Sequence, residues 1–341
     1  MKAKQNNNTV FIVVVCLIAV FFAGAAVFFA TIVSPRSQEQ DSLFTVRQGA
    51  TARTVARDLQ DTGLIRSELV WYLIARQRSS RIKAGTYRIP AGSNAWKILD
   101  IMETGRTEHV RITIPEGMTI GKTARFLESS GVVVAEDFIA AARNPEILSK
   151  WGIPSSTAEG YLFPDTYFLP FDNEAETLVN LMIGNFFRRI EQFEGVPSDR
   201  KELHNLVTLA SIVEREYRIP AEAPKIAGVF SNRLRIGMGL QSCATIEYII
   251  TEIQSLPHPS RLTTSDLAIP SDYNTYLWAG LPPGPISNPG RIALEAAFNP
   301  DRTRYLYFRL VNAVTGEHYF SRTLEEHAQA GRDLTLKAAA R

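Results

Sequence analysis

The chain has 341 residues, enough for two modest domains, and its 37 Lys and Arg nearly cancel its 35 Asp and Glu. So even a balance gives no basic field for nucleic acid, and nucleic acid is not expected as a partner. Cys16 lies in an apolar run and Cys243 in a distant polar stretch, outside any CxxC pattern, and the closest histidines, His318 and His327, do not have the i, i+4 spacing of a zinc helix. Neither a disulfide, a metal nor a cofactor is therefore expected.

The first element in the chain is apolar. Residues 10–33 read VFIVVVCLIAVFFAGAAVFFATIV without a charge, long enough as a helix to cross a hydrocarbon core about 30 Å thick. A cleaved signal peptide usually has only about 7–15 apolar residues, so a retained transmembrane helix is expected instead. Lys2 and Lys4 precede it and put the N-terminus in the cytoplasm by the positive-inside rule. The expected organisation is a cytoplasmic tail over 1–9, the span over 10–33, a linker over 34–43, a small α+β module over 44–110 and a larger α+β domain over 111–341. In a bacterium this makes a single-pass protein of the inner membrane, with its bulk on the periplasmic side.

After the linker a pattern recurs. Residues 44–65 (FTVRQGATARTVARDLQDTGLI) align with 112–133 (ITIPEGMTIGKTARFLESSGVV) at an offset of 68, and residues 87–105 (YRIPAGSNAWKILDIMETG) form a partial third copy. Each copy predicts a short strand, a glycine turn, a Thr or Ser helix cap, an amphipathic helix and a terminating glycine. Duplicated scaffold is the plain reading. The sharper one is a sugar-binding unit, because a β-α-α-β segment opening V-x-x-G-x-T resembles LysM modules, which hold glycan strands. Trp71, Tyr72, Tyr87 and Trp96 fall in apolar patterns that predict core.

Further along, amphipathic helices are predicted over 175–194, 202–217 and 221–234. GLPPGPISNPG, residues 280–290, is too rich in proline and glycine for a helix or a central strand and predicts a stiff loop suited to a binding wall. A helix over 291–298 and strands near 305–311 and 318–321 complete an α+β fold.

LASIVEREY, residues 209–217, carries the candidate chemistry. Leu203, Leu206, Val207, Ala210 and Val213 share one helical face, so the helix is buried and its C-terminal end carries Glu214 and Glu216. Burial and the negative end of the helix dipole both raise a carboxyl pKa, as a general acid requires at neutral pH. The two side chains diverge by about 200° around the helix, so they do not form the carboxylate pair of an ordinary glycosidase. The plain alternative is a pair of solvated helix-end glutamates among arginines. Asn232 and Arg233; Gln241, Ser242, Thr245 and Glu247; and Tyr273, Asn274 and Tyr276 supply the amides, hydroxyls and flat rings of a sugar cleft, though each could equally be a cap or a core polar group.

In order along the chain stand IPEGMT, EGYLFPDTY, LASIVERE, VFSNRLRIGMGLQS, SDYNTY, GLPPGPISNPG and HYFSRTLEEH. Together these motifs, from about Phe44 to about His327, resemble the YceG-like family of endolytic murein transglycosylases. That resemblance implies a LysM-like module followed by a catalytic domain that cuts inside peptidoglycan glycan strands at the MurNAc-GlcNAc bond, leaving 1,6-anhydroMurNAc ends. It implies Glu216 as the catalytic acid and base, Glu214 as its support, and substrate contacts at Asn232, Gln241, Tyr273, Asn274 and Asn288; the residue reading adds Thr245, and Glu214 is also expected on the substrate side. It also implies membrane-bound peptidoglycan synthases as partners. The chain departs from the family at Cys243-Ala244-Thr245, where Asp-Pro-Thr or Asp-Ala-Thr is usual. A hydrolase would need a second carboxylate, with Glu159, Asp165 and Glu247 as candidates; a non-catalytic scaffold for the synthases would need no carboxylate at all.

Overall fold

The computed structural model describes residues 3–34, 40–47, 49–78, 80–105, 107, 109–171 and 173–339, without the side chains of 3–10, 12, 13, 28, 31 and 334–339. Two compact units divide the chain, Met1–Val110 and Arg111–Arg341.

The first unit begins with helix α1 (Ala3–Val33). Among the described residues no helix is long and apolar enough to cross a membrane; the expected span, residues 10–33, falls on α1, part of which lies outside the described side chains. Next come β1 (Ser42–Val46), α2 (Ala52–Asp61), α3 (Glu68–Gln77), β2 (Gly85–Ile89) and α4 (Ala95–Thr104), and β1 pairs antiparallel with β2, Phe44 opposite Tyr87. The repeat dictates the helix starts: Thr51 accepts the Thr54 amide and Asn94 the Lys97 amide, each satisfying a donor with no partner inside the helix. In the third copy the cap is therefore Asn94, not Ser93, whose hydroxyl donates to the Pro90 carbonyl instead. Trp71 and Tyr87 are buried among Val55, Leu59, Ile98 and Met102, as their apolar settings predict. Trp96 is not core; it lies on the outer face of α4, 37 % exposed.

The second unit opens with β3 (His109–Thr113), which pairs with β4 (Thr166–Pro170). Between them run α5 (Ile120–Ser129), capped by Thr119, then α6 (Ala135–Ala141) and α7 (Pro145–Trp151). Helices α8 (Ala175–Ile190), α9 (Arg200–Glu216) and α10 (Ala223–Arg235) follow, then α11 (Cys243–Tyr248), which continues as a wider π-helical turn over Ile249–Ile253. Helix α12 (Arg291–Phe298), the antiparallel hairpin β5 (Tyr307–Asn312) and β6 (Glu317–Ser321), and α13 (Leu324–Ala339) end the chain.

Helix α9 is the axis of this unit. Leu203, Val207, Ala210, Ile212 and Val213 are buried, and α12 lies along it. The proline-rich loop before α12 is fastened to α9 through Ser211: its hydroxyl accepts the Ile286 amide at 3.0 Å, and its carbonyl accepts the Ser287 hydroxyl at 3.0 Å. The next residues reach the turn before α5, where Asn288 donates its amide to the Met118 carbonyl and accepts the Gly117 amide. Gly160 permits this packing, because a Cβ there would lie 2.5 Å from Pro285 and 2.9 Å from Val207, and its φ is +87°.

Candidate active site

The two glutamates of LASIVEREY face opposite ways. Glu214 Oε2 accepts the Gly290 amide at 2.9 Å, at the start of α12, so its carboxylate caps that helix. Burial pushes its pKa up to about 7, against the opposing Gly290 hydrogen bond, and neighbouring Glu116 raises it further. This is a joint between α9, α12 and the Gly117 turn.

Glu216, two residues on, opens into a pocket of about 300 Å³. The Ser242 hydroxyl donates to its Oε1 at 2.5 Å. Burial raises the Glu216 pKa, the Ser242 hydrogen bond opposes the rise, and the Glu247 charge adds to it. The pocket wall is drawn from five segments: Arg233 on α10, Gln241 to Cys243 at the start of α11, Tyr276 in the following loop, Tyr307 on β5 and His327 on α13. Among the described residues lining it, Glu216 is the only carboxylate.

Arg233 holds these segments together. Its Nε donates to the Leu306 carbonyl at 2.6 Å, Nη1 donates to the Leu240 carbonyl at 2.8 Å, and the guanidinium lies 5.1 Å from the Tyr307 ring centroid. One buried cation thus ties the start of β5 to the strip bearing Gln241 and Ser242, with backbone carbonyls satisfying its charge. Gln241 has φ +50°, a left-handed conformation rare outside glycine that marks over-determined positions in sites. Its amide and that of Ser242 are held by Thr275, through the carbonyl at 3.1 Å and the hydroxyl at 3.1 Å.

Of the residues expected to touch substrate, Glu216 and Gln241 share the pocket, and the others lie elsewhere. Asn232 donates to the carbonyls of Thr303 and Tyr305 and accepts from Arg235. Thr245 is fully buried, donating to the Ser242 carbonyl beside the Thr275 hydroxyl. Asn274 donates to the Leu267 and Ile269 carbonyls and accepts the Tyr276 amide, closing its own loop. Asn288 uses its whole side chain inside the fold, donating to the Met118 carbonyl and Glu159 and accepting the amides of Gly160 and Leu162. Tyr273 packs on Tyr248 at 5.1 Å, away from the pocket. The residue types of Asn232, Thr245, Asn274 and Asn288 suit sugars, but their side chains are hydrogen-bonded within the fold, mostly to backbone, so they shape the site instead of lining it.

The three candidate second carboxylates also lie outside the pocket. Asp165 pairs with Arg189 at 2.6 Å. Glu159 accepts the Ile120 amide at the start of α5. Glu247 accepts from Arg215 at 2.8 Å. Among the described residues no cluster of three or more His, Cys, Asp or Glu could hold a metal. Cys243 stands at the mouth with its Sγ 3.1 Å from the Tyr276 hydroxyl. Sequence reading missed Tyr307 and His327 as wall residues; HYFSRTLEEH was the signal for that segment.

A half-buried carboxyl with a hydroxyl donor thus stands at the end of a core helix, beside the β5–β6 hairpin, in an α+β fold. Residues 44–333 match the YceG-like family, and the chain belongs to that family. It is 31 % identical over 335 residues to the endolytic murein transglycosylase of Bacillus subtilis, covering 91 % of this chain and 90 % of that protein. It is 28 % identical to the endolytic murein transglycosylase of Streptococcus pneumoniae, over 83 % of this chain and 56 % of that longer protein. The crystal structure of a yceG-like protein from Listeria monocytogenes superposes with a TM-score of 0.57 at 30 % identity, covering 86 % of this chain and 99 % of that one.

Proposed function

We propose that this protein is an endolytic murein transglycosylase in which Glu216 is the single acid and base. The observation that carries the reading is the lone carboxylate: the pocket holds Glu216, raised in pKa by burial, and no other acid among its described lining residues. The protonated carboxyl donates to the oxygen between MurNAc and GlcNAc, and that C1–O bond breaks. The resulting carboxylate takes the proton of the MurNAc C6 hydroxyl as its oxygen bonds to C1, forming the 1,6-anhydro ring. The proton returns to Glu216 and no water is consumed. A retaining hydrolase would need a second carboxylate about 5–5.5 Å away and an inverting one about 6.5–9.5 Å away.

In this reading Gln241 and Tyr276 contact the sugar, and Ser242 holds the carboxyl's orientation. The uncharged run of residues 10–33 is the sequence feature that supports an anchor in the inner membrane with the second unit outside, and the β-α-α-β order of the first unit supports a LysM-like module that holds the strand. Membrane-bound synthases that make the strand are the partners this places within reach.

Mass spectrometry of glycan products from the wild type and Glu216→Gln tests the assignment. Anhydro ends with wild type, lost in the variant, are expected. Reducing ends would instead make it a hydrolase, and no cleavage by wild type would favour a glycan-holding scaffold.

A further inference from the structure

A second cavity, of about 660 Å³, lies between α5, α6 and the π-helical turn after α11. Its size falls within the range of about 300–1,000 Å³ typical of small-ligand sites. Its lining is charged in a consistent sense. Lys122, Arg125, Arg143 and His258 stand around it, against Glu159 and Glu252. Among the described residues, Lys122, Arg125 and Arg143 have no carboxylate within ion-pairing distance. Burial, with the nearby Arg215 charge, pushes the Lys122 pKa down, as expected where cations crowd without enough counter-charge.

Glu159 does little to correct the imbalance. It is 3 % exposed, and burial raises its pKa to about 8, so at neutral pH it is mostly a neutral acid. The other lining carboxyl is that of Glu252. It is held at the rim against Gly121, where an added Cβ would lie 2.6 Å from Glu252 Oε2.

We propose that this cavity binds a peptide bearing more carboxylates than amines, with Arg125, Arg143 and Lys122 on the carboxylates and Glu252 on an amine. A bare glycan is the poorer fit, because sugars are held by flat rings and amides, and this lining offers no side-chain amide and only the rings of Tyr248 and His258. Glu247 links the cavity to the catalytic pocket: it raises the Glu216 pKa, and it lies 3.4 Å from His258, which lines the second cavity. The assignment rests on the murein reading, since the short peptides carried by murein strands have this carboxylate-rich chemistry. The cavity would then select strands by their side branches while Glu216 acts on the backbone.

Isothermal titration of the purified full chain with N-acetyl-L-alanyl-γ-D-glutamyl-L-lysine tests the site without needing catalysis. Binding is expected to weaken about tenfold or more in Arg125→Glu/Arg143→Glu, and clearly in the milder Arg125→Gln/Arg143→Gln, while Glu216→Gln binds as wild type. Both arginines are exposed, and thermal melting checks that the variants fold. Wild type that fails to bind, equal affinity in wild type and both folded variants, or equal competition by inorganic phosphate, overturns the proposal. Where strands are cleaved, the wild-type preference for peptide-bearing over peptide-stripped strands is expected to shrink in the variants; loss of all cleavage counts against the murein reading, and the titration still decides the cavity.

Discussion

At the scale of single residues, spacing and burial divide the labour between two adjacent glutamates. Glu216→Gln keeps the shape and removes the proton, so glycan cleavage is expected to fall by about a thousandfold, a general acid's usual contribution. Ser242→Ala is subtler. The hydroxyl stabilises the Glu216 carboxylate, so its removal raises that pKa further, and the alkaline limb of the kcat/KM profile, which reports loss of the acid, is expected to move to higher pH. An unmoved limb would mean that Ser242 is not coupled to the catalytic proton. Glu214 caps a helix, so Glu214→Gln, which retains an acceptor for the Gly290 amide, is expected to lower activity far less than Glu216→Gln. The divergence of the pair was legible from helix geometry alone. Which glutamate faced the pocket was not, because that depends on where α10, α11 and the hairpin pack.

At the scale of elements, the motifs that mark this chain meet in one knot: the Gly117 turn, the Glu159 to Leu162 strip, α9 and the proline-rich loop are cross-linked through Asn288, Ser211 and Glu214. Replacing Asn288 by Ala would leave the Gly160 and Leu162 amides without their side-chain acceptor and the Met118 carbonyl with only its backbone bond, a loss of about 3 kcal/mol measured by denaturant unfolding. Gly160→Ala is expected to destabilise by at least about 2 kcal/mol, since it adds an overlap with Pro285 to an unfavourable φ. Helix and strand positions along this stretch were largely predictable from periodicity and caps. The roles of Asn232, Thr245, Asn274 and Asn288 were not, because a polar side chain in a motif looks the same whether it meets a sugar or a carbonyl.

At the scale of the whole molecule, buried acids make stability depend on pH. Glu159 titrates near 8 and Glu214 near 7, both above the ordinary carboxylate value of 4.5. Between those values the folded chain holds protons that the unfolded chain releases. The stability they confer is complete below pH 4.5 and is lost as pH rises through 7 to 8. The unfolding free energy is therefore expected to decline from about pH 5 to about pH 8, by up to about 1.4 kcal/mol per pH unit for each group, and to level off above that. Glu159→Gln should flatten the decline; an identical slope in wild type and variant would place the burial cost elsewhere.

Local pattern by itself determined the α+β class, the helix starts at Thr51 and Thr119, the lack of helix over residues 280–290 and the opposed glutamates, because each follows from interactions within a few residues. The membership of the pocket was a tertiary decision. Arg233, Gln241, Ser242, Tyr276, Tyr307 and His327 come together only after α9, α10 and the hairpin have packed, and the same packing turned four expected sugar contacts inward to satisfy backbone. Long-range burial, which no short window of sequence contains, chose which carboxyl would keep its proton in a cleft.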